Sequence, residues 1–149
     1  MTGLDTNILV QLAIADHPAH QTTVAAVQKE AWSGSRLVFP SLVITEFLHV
    51  VTDPRRFSPP MTMDEAVDWI NSLLQNPSVM LMDTTTPAIN QTLLWMQQFG
   101  LGRKRIIDTH LAAILYTSGA TRLLTSNPGD FEIFGVFEII NPTSSPTAP

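Results

Sequence analysis

Short apolar runs alternate with helix-period segments along nearly the whole chain, and no other feature restricts its fold as much. Leu37-Val38-Phe39 and Val79 to Met82 are too short for helices and too apolar for loops, so they read as buried strands. Thr121 to Thr125, a segment near Phe137 to Ile140 and a very short first strand ending at Leu4 read the same way. Between them lie helices. Asp5 to Ala15 continues from the first strand, and from about Pro18 to Trp32 the residues Val24, Val27, Ala31 and Trp32 recur at helical spacing before Gly34. Pro40-Ser41 opens a helix that Pro54 stops. Thr62 and Glu65 form a capping box ahead of Ala66, Trp69, Ile70 and Leu73, fixing the start of the next helix. Thr86 is expected as the N-cap of another, with Pro87 at its first position, Ile89, Leu93 and Met96 on one face and Gly100 as its stop. Ile107, Leu111, Ile114 and Leu115 mark a last helix ending at Gly119.

This alternation implies an α/β fold of three layers, a mostly parallel central sheet flanked by helices and joined by right-handed crossovers. A chain of 149 residues with 44% hydrophobic content suits one domain with a full core. Residues 1–141 form that domain, and the Pro/Ser/Thr-rich tail 142–149 is expected to be disordered. Absence of cysteine excludes a disulfide framework and a Cys-based zinc site. The first residues lack a basic region followed by an apolar stretch, and every apolar run is too short or interrupted to span a bilayer. The expected location is the cytoplasm, with no membrane partner.

The fold class also says where chemistry belongs. Ligands of open parallel sheets bind outside the carboxyl ends of the strands, where Asp5 and the loop Thr125 to Asp130 are expected. Glu46 and Asp108 are expected in the opening turns of helices facing the same crevice. All four carboxylates sit in apolar settings: Asp5 in Gly3 to Val10, Glu46 in Leu42 to Val51, Asp108 at the head of Ile106 to Tyr116, and Asp130 after Leu123 to Asn127. Three of them have a plain structural account when taken singly, whereas Glu46, on a largely buried helix, favours function even alone. Asp5 suits a helix cap, Asp108 gains roughly 0.3 to 1 kcal/mol from the helix dipole, and Asp130 suits a turn. Together they favour a shared cation, since buried carboxylates are costly unless paired or metal-bound and few Lys or Arg stand nearby. Four oxygen donors without Cys or a His cluster suit Mg²⁺ or Mn²⁺ rather than zinc.

A net charge of −5 repels nucleic acid overall. Yet five of the eight Lys and Arg fall in two clusters, Arg55-Arg56 and Arg103-Lys104-Arg105, readable either as solubilising loop charge or as phosphate contacts. His17 and His20 lie at a helix start and read as surface or capping residues. His49 and His110 read as packing or supporting groups. A Gly-rich phosphate loop and a serine-hydrolase elbow are absent, and Asn7 stands where an aspartyl-nucleophile phosphatase would want a second Asp.

Assembled in order, Leu4-Asp5-Thr6-Asn7-Ile8-Leu9, Ile44-Thr45-Glu46-Phe47 and Ile107-Asp108-Thr109-His110-Leu111-Ala112-Ala113 resemble the PIN-domain ribonucleases, and within them the VapC-type toxins of bacterial toxin-antitoxin systems. The resemblance continues through Leu124-Thr125-Ser126-Asn127-Pro128-Gly129-Asp130-Phe131 and His17-Pro18-Ala19-His20. It implies a PIN-like fold, a divalent metal (Mg²⁺ or Mn²⁺) and endonucleolytic cleavage of RNA by metal-activated water. Asp5, Glu46 and Asp108 match the family's acidic positions and are the expected catalytic residues. Metal ligation is expected from Asp5 and Asp108 with Asn127 or Asp130, supported by Thr6, Asn7 and Thr125. Many members carry Asp where this chain has Asn127, and Asp130 lies one residue past their usual second Asp, so a second metal position is weakened here. Implied partners are an RNA substrate, met by Arg103, Lys104, Arg105, Arg55 and Arg56, an antitoxin protein, and a second copy in a homodimer. Alternatives are an RNA-processing nuclease without antitoxin and a catalytically weak RNA-binding module.

Overall fold

Five strands form one sheet in the order β3-β2-β1-β4-β5, parallel throughout. The structure, a computed structural model, describes residues 1–144. The strands are β1 (Thr2–Leu4), β2 (Leu37–Pro40), β3 (Val79–Met82), β4 (Arg122–Leu124) and β5 (Glu138–Ile140). Six α-helices among the described residues connect or cover them: α1 (Thr6–Ala13), α2 (His20–Trp32), α3 (Ser41–Val51), α4 (Met63–Leu74), α5 (Thr86–Gln98) and α6 (Ile106–Thr117). From β1 the chain runs outward through β2 to β3, then returns to lay β4 on the other side of β1. Right-handed crossovers therefore put α1 to α4 on one face and α5 and α6 on the other. The direction of winding reverses between β1 and β4, and that reversal opens a crevice at their carboxyl ends.

The core is apolar on both faces of the sheet. Leu4, Val38, Phe39, Leu123 and Leu124 are buried from the strands, Ile8, Leu9, Val43 and Phe47 from one helical layer, and Leu111, Ala112 and Leu115 from the other. Gly3 sets how closely α6 approaches, since a Cβ there would stand 2.5 Å from Leu115 Cδ1. No helix among the described residues is long and apolar enough to cross a membrane.

The expected elements all form, with instructive differences at their ends and faces. α1 stops at Ala13 rather than Ala15, and α2 starts at His20 rather than Pro18. The N-cap of α5 is Thr85, not Thr86, because the Thr85 hydroxyl accepts from the Ala88 N–H at 3.3 Å; Pro87 thus falls one position later. That helix also turns a different face inward. Ala88, Thr92 and Trp95 are buried while Ile89 and Leu93 are 46% and 60% exposed. Trp95 decides the rotation, stacking on Phe134 at 4.5 Å and against Tyr116 at 5.3 Å, and so large an aromatic area outweighs two aliphatic side chains. In α2 the inward face carries Thr23 and Glu30. Hydrogen bonds to Gln11, Thr2 and Arg122 satisfy them and leave Trp32 82% exposed. Of the expected tail, Thr143 and Ser144 are turned back onto Asn141; residues 145–149 lie outside the described residues.

Candidate active site

Asp5 ends up buried because β1 stops at Leu4 and its own backbone N–H carries the ladder one step further, to Leu124 O at 3.1 Å. Its side chain caps α1 through the Thr6 N–H at 2.7 Å, so capping and site roles coincide in one residue. The second oxygen, Oδ2, accepts from Asn7 Nδ2 at 2.6 Å and Thr125 Oγ1 at 2.7 Å. Asp5 is 7% exposed, and burial pushes its carboxyl up to about 6 against the hydrogen bonds from Thr125 and Thr6, with the negative charges of Asp108 and Glu46 adding to the rise.

Across a cavity of about 500 Å³, Asp5 shares the walls with Glu46, Asp108 and Asn127. Glu46 sits in the second turn of α3 rather than its opening turn, exposed but anchored by Thr6 Oγ1 at 2.5 Å. Asp108 occupies the first turn of α6. Burial and the neighbouring Asp130 raise its carboxyl to about 6 although Arg105 opposes the rise, and Glu46 adds to it. Two carboxyls resisting ionisation near pH 6 with a third beside them make a site whose repulsion a cation would relieve.

The donor set is all oxygen and suits a hard divalent ion. Among the described residues, no three carboxylates or imidazoles gather tightly enough to ligate one ion by themselves. Asp5 is drawn to Asn7 and Thr125, Glu46 to Thr6, and Asp108 to Arg105. This still fits Mg²⁺, which binds through one or two carboxylates and keeps several water ligands.

Of the two loop candidates, Asn127 lines the cavity and Asp130 does not. Asp130 stands behind Arg105, whose Nε lies 3.9 Å from both the Asp108 and Asp130 carboxylates and whose guanidinium also donates to Asp130 O. The supporting residues converge: Asn7 Oδ1 accepts from the Ser126 N–H at 3.0 Å, and Thr125 Oγ1 accepts from the Asn127 N–H at 3.0 Å. The basic clusters divide. Arg55 is taken by Asp53, whose carboxyl it holds down to about 2 through side-chain and backbone hydrogen bonds. Arg56 lines the cavity, Arg105 belongs to the acids, and Arg103 and Lys104 are exposed.

Some lining residues escape a sequence reading. His17 lines the cavity while accepting from the Ala19 N–H at 3.0 Å. His110 is turned elsewhere, hydrogen-bonded to Thr92 at 2.8 Å, and burial lowers its pKa. Gln11, one turn beyond Asn7 on α1, is 6% exposed; it donates to Ser126 Oγ at 2.8 Å and accepts from Thr23 Oγ1 at 2.7 Å. The i, i+4 relation to Asn7 was the available signal. Gln11→Ala should cost about 1 to 3 kcal/mol in urea unfolding, because Thr23 is left buried without its acceptor. It should also loosen the loop that carries Asn127, measurable as faster amide exchange at Ser126.

Comparison with known proteins places this geometry in context. The PIN domain family model matches residues 4–134. Ribonuclease VapC24 of Mycobacterium tuberculosis is 26% identical over 145 residues, which is 97% of this chain and 99% of that protein. Among solved structures, VapBC2 from Rickettsia felis bound to a promoter DNA fragment superposes with a TM-score of 0.67 at 19% identity, covering 94% of this chain and 97% of that one. The Mycobacterium tuberculosis toxin VapC20, described as cleaving the sarcin-ricin loop, gives a TM-score of 0.60 at 17% identity over 83% of this chain and 87% of its own. At these identities the structural likeness is one of fold.

Proposed function

Because the chain belongs to the PIN domain family, we propose that it is a metal-dependent endoribonuclease, the toxin of a toxin-antitoxin pair acting in the cytoplasm. The observation that carries this reading is the meeting of Asp5, Glu46, Asp108 and Asn127 in one cavity at the point where the sheet reverses its winding. The ribonuclease name of the 26% identical relative and the VapBC complexes among the fold's neighbours support it.

Asp5 and Asp108 are the residues to hold Mg²⁺ or Mn²⁺, with Asn127 as a neutral donor and Asp130 reaching the site only through Arg105. When bound, the ion lowers the pKa of a water and neutralises charge on the phosphoryl oxygens. Hydrolysis joins the water oxygen to phosphorus and breaks one P–O bond to a sugar oxygen; solvent protonates the departing sugar oxygen, and the attacking water gives up one proton. Glu46 Oε1, the oxygen left free when Thr6 donates to Oε2, is the acceptor for that proton. Thr125, Asn7 and the Thr6 N–H keep Asp5 fixed, so little reorganisation is needed at the moment of attack. Purified protein with single-stranded RNA and Mn²⁺ is expected to cleave it, and EDTA to stop the reaction; cleavage unaffected by EDTA would refute the metal dependence.

The phosphate contacts narrow to Arg103, Lys104 and Arg56, since Arg55 is bound to Asp53 and Arg105 stands between two acids, whereas Arg56 has only a 3.9 Å approach to Asp53 and lines the cavity. Neutralising Arg103 and Lys104 together should flatten the salt dependence of RNA binding by roughly 0.7 in slope per lost single-strand contact, while Mn²⁺ affinity stays the same. An unchanged slope would leave them as solubilising charge. The antitoxin and homodimer parts of the reading draw support from apolar side chains on α5 and α6, where Leu93, Leu94 and Ile106 are 60%, 54% and 45% exposed. Exposed apolar side chains of this size gain from burial against a partner chain.

A further inference from the structure

Beside the acidic cavity lies a second, largely apolar recess of about 290 Å³, lined by Leu42, Thr45, Glu46 and His49 of α3 and Ile107 of α6. The α3 residues stand at i, i+3, i+4 and i+7, one stripe of the helix, whereas Val43, Phe47 and Val51 form its buried face. Glu46 borders both hollows, and Ile107 directly precedes Asp108. The recess therefore opens between the same two helices that carry two of the candidate catalytic carboxylates.

We propose that this recess is a base subsite, receiving one unstacked nucleobase next to the phosphodiester that is cleaved. The proposal rests on the ribonuclease reading and extends it to sequence preference. Single-stranded RNA is recognised by stacking splayed bases on aromatic rings, histidine included, and reading their polar edges, and extruded bases are also held between apolar side chains. Leu42 and Ile107 supply apolar walls, and Ile107 is 53% exposed. His49 supplies an imidazole that takes part in no hydrogen bond among the described residues, while the Thr45 hydroxyl is committed to Leu42 O at 2.8 Å. A base fits this mixture of aliphatic walls, one imidazole ring and a polar border. An aliphatic side chain from a protein partner fits it less well, because it would cover Glu46 and His49 without pairing them. Glu46 borders both hollows, so a strand whose phosphate lies over Asp5 and Asp108 passes the mouth of the recess with its neighbouring nucleotide.

The test is cleavage of a single-stranded RNA pool, randomised around the cut, by wild type, His49→Ala and Ile107→Ser in Mn²⁺, with the ends sequenced. Both residues are exposed, so the variants should fold. Wild type should prefer particular bases at one nucleotide flanking the cut. His49→Ala should weaken that preference alone by about fivefold or more, the lower end of base–aromatic stacking, and Ile107→Ser should weaken it in the same direction, with Mn²⁺ affinity by calorimetry unchanged in both. Variants that cut with the wild-type preference would overturn the subsite, and if they also escape inhibition by an antitoxin the recess serves a protein partner instead. Failure of wild type to cut any RNA would overturn the ribonuclease reading as well, so the two failures are distinguishable.

Discussion

Asp108→Asn is expected to abolish RNA cleavage while the metal-free protein melts no earlier than wild type at pH 8. Loss of a residue supporting a metal ligand already costs about 10- to 100-fold, so loss of a ligand charge should cost at least about a hundredfold. The fold tolerates the change because Asp108 is partly exposed and its ion pair with Arg105 is long, at 3.9 Å. Asp5→Asn is less clean, since both Asp5 oxygens accept hydrogen bonds and an amide would turn an N–H toward one of the donors. The pH dependence follows from the same carboxyls. Asp5 rises from 3.8 to about 6 on folding, so its contribution is whole below about pH 4. It declines as pH climbs through 6, where the unfolded chain has already released the proton, for a loss of roughly 3 kcal/mol. Asp108 moves in the same direction. Urea midpoints of the metal-free protein should therefore fall between pH 4 and 7 by this contribution, and Mn²⁺ should raise the melting temperature more at pH 8 than at pH 5. An Asp108→Asn protein that melts far below wild type would mean that this residue serves the fold instead.

The second large effect lies at the opposite end of the strands. Glu30 is 2% exposed and accepts from Thr2 Oγ1 at 2.7 Å and Arg122 Nη1 at 2.8 Å, while Arg122 also reaches Glu138 at 3.0 Å. Removing one partner of a buried pair leaves the other charge uncompensated at a cost of 3 to 5 kcal/mol. Arg122 is 31% exposed, so water softens the loss, and about 3 kcal/mol is the expected drop for Arg122→Ala in urea unfolding. Adding Glu30→Gln to that variant should recover part of it, because the stranded charge is gone. Equal stability of Arg122→Ala and wild type would show that the pair contributes nothing.

Glu30 also illustrates what a sequence reading reaches. Strand and helix order was legible because apolar runs of three or four residues have one place to go in an α/β chain, and that order alone put Asp5 beside the Thr125 loop. Helix rotation was not legible. Spacing in α5 offered Ile89 and Leu93, but the packing partner of Trp95, Phe134, lies 39 positions further along. In α2 a polar inward face was selected by tertiary bonds from Thr2, Gln11 and Arg122, none of which periodicity contains. At the site, Asp5, Glu46 and Asp108 stood out by type and setting; Asp130 stood out equally but does not line the cavity, and Asn127, which does, was reached only through the family resemblance. The place of Arg105 between Asp108 and Asp130 depends on how the loop before β5 folds back, which short-range pattern does not encode.

The reading stands on one centre where water, not the ribose 2′-hydroxyl, attacks phosphorus. Mapping the ends of RNA cut by purified wild-type protein in Mn²⁺ tests this most directly. Linear monophosphate ends, formed only with the metal and lost in Asp108→Asn, are predicted; 2′,3′-cyclic phosphate ends formed equally in EDTA would contradict it.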